Sequence, residues 1–183
     1  METQRHRTGS PERGFTLIEV VMVIVLLAIV GAFAGTLLFQ GARSFELMDT
    51  RGELTAEGTL AMERISRELH LIGCTTAGSS CAPQATDITA MTATELRFVK
   101  TDLQGSGIRL NAGAVKLRQG SGATDPEDVL AASASSLAFE YLKRDGTTAV
   151  LVPDLWRINV TLVLASGAES VTFKTSVHPR SFL

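Results

Sequence analysis

Residues 14–19 read Gly14-Phe15-Thr16-Leu17-Ile18-Glu19, and the chain continues V-V-M-V-I-V-L-L-A-I-V-G-A-F-A-G-T-L-L-F from Val20 to Phe39. Those last twenty residues carry no charge. As a helix they rise about 30 Å, roughly the hydrocarbon thickness of a bilayer. Yet Glu19 stands at the head of the run. A carboxylate in a membrane helix costs at least ~2.5 kcal/mol, and such residues usually have a partner or a function. The purpose of Glu19 is the first question the sequence poses.

Working outward, the flanks orient the run. Arg5, Arg7 and Arg13 precede it against Glu2 and Glu12, whereas Arg43 and Arg51 follow it against Glu46, Asp49, Glu53 and Glu57. Positive flanks stay inside, so the N-terminus is expected in the cytoplasm and everything after about Gln40 outside. The whole chain has 183 residues, 17 basic and 19 acidic, for a net charge of −2. Neither that balance nor any Lys/Arg block points to nucleic acid.

Three readings of the N-terminus compete. A conventional signal peptide would use Ala32-Phe33-Ala34 as a small-x-small site and release a soluble protein beginning at Gly35. Against it, apolar character continues through Leu37, Leu38 and Phe39. A plain uncleaved signal anchor explains the run and its orientation but leaves Glu19 without a reason. The third reading accounts for both. Arg13-Gly14-Phe15-Thr16-Leu17-Ile18-Glu19, flush against the apolar run, resembles the class III signal of type IV pilins and type II secretion pseudopilins.

That resemblance implies a prepilin peptidase as partner. Cleavage would fall between Gly14 and Phe15, with Phe15 then N-methylated, and residues 1–14 would be the leader. Glu19 lies four residues, one helical turn, from the new amine, so pairing within one subunit is sterically available. The resemblance implies a different use, in which Glu19 of an incoming subunit meets the Phe15 amine of a neighbour and selects axial register. The plain alternative is a carboxylate that snorkels to the headgroups.

Pro11 and Pro83 are consecutive prolines, so the interval between them holds no helix breaker of that kind. Apolar residues recur at Phe45 and Met48, then at Met62, Ile65, Leu69 and Ile72 with one-faced helical spacing. Glu63, Arg64, Arg67 and Glu68 are expected on the opposite side. A continuous helix from about Phe15 to Leu71, ending near Gly73, follows, and would measure roughly 85 Å. Residues 15–39 would form the membrane or filament-core part and 40–73 the amphipathic part. Gly31 and Gly35 form a G-x-x-x-G, which allows close helix approach, although glycine is also simply frequent in membrane helices. Many pilins place a proline in the membrane half; here glycines stand instead.

Cys74 and Cys81 enclose six residues. With no other cysteine, and His70 alone beside them, the spacing fits neither zinc nor a C-x-x-C redox motif. In an exported chain a disulfide closing a small loop is the reading. Residues 74–183 then form a head. Strands are expected over 95–100, 108–110, 114–119, 137–143, 157–164 and 171–177. Turns are expected at Arg144-Asp145-Gly146-Thr147 and Ala165-Ser166-Gly167-Ala168, and a loop or short helix over 119–136. The expected fold is α+β and pilin-like, a long N-terminal helix packed on an antiparallel sheet of five or six strands.

Ala61-Met62-Glu63-Arg64-Ile65-Ser66-Arg67-Glu68-Leu69, and a last strand pair ending Val177-His178-Pro179-Arg180, resemble the larger minor components of the J-type pseudopilin or PilW/MshO kind. No P-loop, H-E-x-x-H or G-x-S-x-G occurs, so no enzyme and no cofactor is expected. Asp125, Glu127 and Asp128 are acids grouped closely enough for calcium, but read more simply as a solvated loop, and no metal is expected; His178 reads as a surface residue. The functional expectation is a structural minor pilin or pseudopilin of the bacterial inner membrane. It would pass the bilayer once, carry its head outside, and join a pilus or type II secretion filament with other subunits through the N-terminal helix. The alternative is an exported binding domain, anchored or released.

Overall fold

A computed structural model describes residues 14, 16–74, 81–120, 122 and 124–182. One helix, α1 (Leu17–His70, 54 residues), precedes eight strands. These are β1 (Ile88–Met91), β2 (Glu95–Val99), β3 (Gly105–Asn111), β4 (Ala114–Gln119), β5 (Glu127–Ala131), β6 (Ala134–Leu142), β7 (Arg157–Ser166) and β8 (Glu169–Val177). The fold is α+β and pilin-like. Contacts divide the chain into two units, Met1–Glu46 and Leu47–Leu183.

In the first unit every described side chain from Leu17 to Gln40 is exposed. The helix is long and apolar enough to cross a membrane. Its hydroxyls are satisfied locally: Thr36 Oγ1 donates to Phe33 O at 2.8 Å and Ser44 Oγ to Gln40 O at 3.0 Å. Such back-bonding lets polar side chains sit on a helix without a partner elsewhere. Ala34 and Gly35 lie inside unbroken helix.

In the second unit the helical period decides the packing. Leu54, Ala61, Met62, Ile65 and Leu69 are buried, as is Ile72 just beyond the helix. Each fully buried aliphatic side chain contributes about 1.5–3 kcal/mol. They meet Leu96, Phe98, Ile108, Val115 and Leu117 of one sheet and Leu137, Phe139, Ile158, Val160, Leu162 and Leu164 of the other in a single core. Leu137, Phe139 and Tyr141 turn inward at period two while Glu140 turns out. Phe45 and Met48 remain exposed.

The head differs from expectation in having two antiparallel sheets, β1-β2-β3-β4-β5 and β6-β7-β8. β1 was not expected, and β5 lies inside the stretch expected to be a loop or short helix. A strand survives in that acidic segment because β4 brings cations alongside it: Arg118 faces Glu127 in the β4–β5 register. The β7–β8 hairpin turns through Gly167 and Ala168, with Gly167 at φ +59°. Leu142 and Thr148 bridge across the turn at 144–147, where Gly146 has φ +85°.

The helix ends at His70, within a residue of the expected end at about Leu71. Gly73 is not its cap. A Cβ there would stand 2.7 Å from Lys100 O, so the glycine permits close approach of two backbones, with Gly73 N–H donating to Val99 O at 2.7 Å. Ile72 bridges Lys100, Thr101 N–H donates to Leu71 O, and Ser181 Oγ donates to Ile72 O. The chain leaving the helix is held by β2 on one side and the C-terminal segment on the other.

Candidate functional site

The candidate segment begins where α1 begins. Thr16 is the N-cap: its carbonyl accepts from Glu19 N–H at 3.0 Å and Val20 N–H at 3.3 Å, and its Oγ1 lies 3.4 Å from Glu19 N. Thr16 and Glu19 therefore occupy the N-cap and N3 positions of a T-x-x-E capping pattern. Glu19 is also the acid of the first turn, where the helix dipole favours negative charge. That T-x-x-E spacing is a signal present in the sequence itself, obscured by the apolar run that follows it. Glu19 is exposed, and so is Gly14. Phe15 and residues 1–13 lie outside the described residues.

Further along, Gly31 and Gly35 are one turn apart, both exposed, with nothing within 4 Å of where a Cβ would stand. They leave a strip of bare backbone on one face of the apolar helix. Just past that segment, the Arg43 guanidinium lies 5.4 Å from the Phe39 ring centroid. The chemistry available here is association through apolar surface, one carboxylate and one strip of close approach.

In the head, several polar residues serve the helix junction. Glu68, expected on the solvent face, is buried: Oε1 lies 3.0 Å from Arg64 Nη2 and Oε2 3.9 Å from Lys100 Nζ. Lys100, beyond the end of β2, draws the carboxylate inward. Glu57 accepts from the backbone N–H groups of Ala132 and Ser133, fixing α1 to the β5–β6 turn. His178 is part-buried rather than a surface residue. Its ring lies 4.1 Å from that of Trp156, and its nitrogens face Trp156 O at 2.6 Å and Phe182 O at 3.1 Å. His70 Nδ1 faces His178 O at 3.1 Å.

Cys74 and Cys81 are disulfide-bonded, with Cα atoms 6.2 Å apart. The acids around Pro126 are dispersed among other partners. Asp125 accepts from Gly122 N–H, Asp128 from Gln119, and Glu127 from Arg109 and Arg118. The Arg109 hydrogen bond holds the Glu127 carboxyl below the usual carboxylate range and, reciprocally, raises Arg109. Burial pushes up the Tyr141 hydroxyl, which donates to Thr92 O at 2.6 Å. Among the described residues no three His, Cys, Asp or Glu side chains converge on a common point.

Residues 9–35 match the family model described as the prokaryotic N-terminal methylation motif. No curated protein matches the chain. The N-terminus thus carries a class III signal, consistent with a type IV pilin or pseudopilin that is processed by prepilin peptidase and assembled in the pilin manner.

Proposed function

We propose that the chain is a non-enzymatic minor pilin or pseudopilin that primes or joins a type IV pilus or type II secretion filament. Prepilin peptidase severs Gly14 from Phe15 on the cytoplasmic face and methylates the new terminus. The helix then spans the inner membrane once, with the head outside, until the subunit moves into the filament. One observation carries this proposal. Within the methylation motif and just beyond it runs an uncharged apolar helix segment, Val20 to Phe39, whose side chains are all exposed.

Physical chemistry supplies the role of Glu19. Cleavage would place an ammonium one residue before the N-cap, at the positive end of the helix dipole, where a cation is disfavoured. Glu19 sits in the first turn and offsets that charge. In the filament core the Glu19 carboxylate of an incoming subunit meets the Phe15 ammonium of its neighbour. In low dielectric an unpaired charge is costly, so only the axial position that pairs them is stable. Gly31 and Gly35 let neighbouring helices approach along the same core.

Mass spectrometry of the mature chain isolated from cells tests the proposal. An N-terminus at methylated Phe15 is expected. A chain starting at Gly35 would assign a conventional signal peptide, and an intact Met1 an uncleaved anchor; either would overturn the proposal in favour of an exported binding domain.

A further inference from the structure

The head has one long strand edge that no described residue covers. In the β6-β7-β8 sheet, the β6 edge is closed: Phe139 N–H donates to Ala93 O at 2.7 Å and Ala134 N–H to Gly113 O at 2.9 Å. The edges of the other sheet, β1 and β5, are four and five residues long and each is interrupted by a register shift. β8 runs nine residues in unbroken register with β7 and has no strand on its other side.

The phase of the hairpin tells which groups are free. Ser166 and Glu169 close the two-residue turn, and Ala165 N–H points away from β8 to Ser133 O. Directly opposed residues alternate between bonded and non-bonded pairs along an antiparallel ladder. Val171, Phe173 and Thr175 therefore bond to β7, whereas the backbone groups of Thr172, Lys174 and Ser176 point outward. No backbone hydrogen bond among the described residues reaches those outward groups.

Beside this edge, α1 and β8 enclose a groove of about 770 Å³. Its lining includes Arg67, His70 and Arg180 against the single acid Glu63, with Met62 and Phe173 as the apolar floor; Lys174 borders it, but its side chain turns to the opposite face of the sheet, beside Glu140. Arg67, Lys174 and Arg180 have no carboxylate within ion-pair distance among the described residues. A second copy of β8 would set Lys174 against a like charge near the middle of the edge, which disfavours self-pairing. An acidic strand suits the same edge.

We propose that β8 and this groove form a docking site for an extended acidic segment of a partner protein, which adds as a fourth strand beside β8 with the carboxylates of its groove-facing side toward Arg67 and Arg180. Main-chain hydrogen bonds then provide affinity and the cations provide selection. This site lies wholly in the head and does not depend on how the N-terminal helix is processed.

The test uses the full chain in detergent micelles and a fluorescein-labelled nine-residue peptide of alternating Val and Thr with two Thr replaced by Glu. Its counterpart carries Lys at the same two positions. The Glu peptide should bind saturably and about tenfold more tightly than the Lys peptide. Thr172→Pro removes one outward N–H, a change tolerated on an edge strand, and should abolish binding with the melting curve retained. If that variant loses its fold, Arg67→Glu with Arg180→Glu serves instead and should reverse the peptide preference. Equal binding of both peptides, binding of neither, or undiminished binding by folded Thr172→Pro would overturn the proposal. Dimerisation of the parent chain that Thr172→Pro abolishes would also overturn it, by assigning the edge to a second copy.

Discussion

A Cβ on Gly58 of α1 would stand 2.0 Å from the nearest ring atom of Phe173 on β8, so helix and strand interlock with no room for a side chain between them. Gly52, in the same helix, is exposed, with open space where a Cβ would stand. The two glycines should therefore respond with opposite signs. Gly58→Leu should destabilise the head by about 1–3 kcal/mol through overpacking. Gly52→Ala should stabilise it by about 0.5–1 kcal/mol, because it removes backbone freedom from the unfolded chain at no steric cost. Thermal unfolding of the full chain in detergent measures both, and a common sign would contradict the packing described.

Glu68 joins α1 to the end of β2 with only 6% of its side chain exposed. Glu68→Ala would leave Lys100, itself 17% exposed, without a counter-charge. Removing one member of a buried pair strands the other, and a loss of about 2–3 kcal/mol is expected. Lys100→Met together with Glu68→Met should recover much of it. Denaturant titration of the single and double variants gives the comparison.

Acid should weaken the five-stranded sheet through Glu127. Its carboxyl is depressed in the folded chain, chiefly by the Arg109 hydrogen bond and then by that of Arg118. A depressed carboxyl contributes stability above its unfolded pKa, near 4.3, and loses that contribution as pH falls through the lower folded value. Glu127→Gln should therefore be less stable than the parent at pH 7, with the gap closing below about pH 4. A gap independent of pH would remove Glu127 from the acid response.

At the helix start, Glu19→Gln separates two roles that Glu19→Leu confounds. Glutamine serves as well as glutamate at the third position of a capping box, but carries no charge. Membrane insertion and cleavage at Gly14 should be normal for both variants, while neither should enter filaments stably. Wild-type incorporation of Glu19→Gln, measured as the fraction of subunit recovered with sheared filaments, would reduce Glu19 to a cap.

Much of this molecule was legible before folding was considered, because it rests on properties the chain carries locally. Helix start, apolar run and one-faced Met62–Ile65–Leu69 spacing follow from periodicity and length. Inward Leu137, Phe139 and Tyr141 follow from alternation, and Cys74 needed only Cys81 seven residues on. What tertiary structure decided depends on partners far away in sequence. Glu68 is buried because Lys100 arrives from the end of β2, and β5 forms in an acidic stretch because Arg109 and Arg118 neutralise Glu127. Gly73 is required by the backbone of Lys100 rather than by the helix it follows, and the division into two sheets leaves β8 with an open edge. Local pattern sets which segments become helix or strand; only long-range pairing sets where a charge can be buried and which edge stays unpaired.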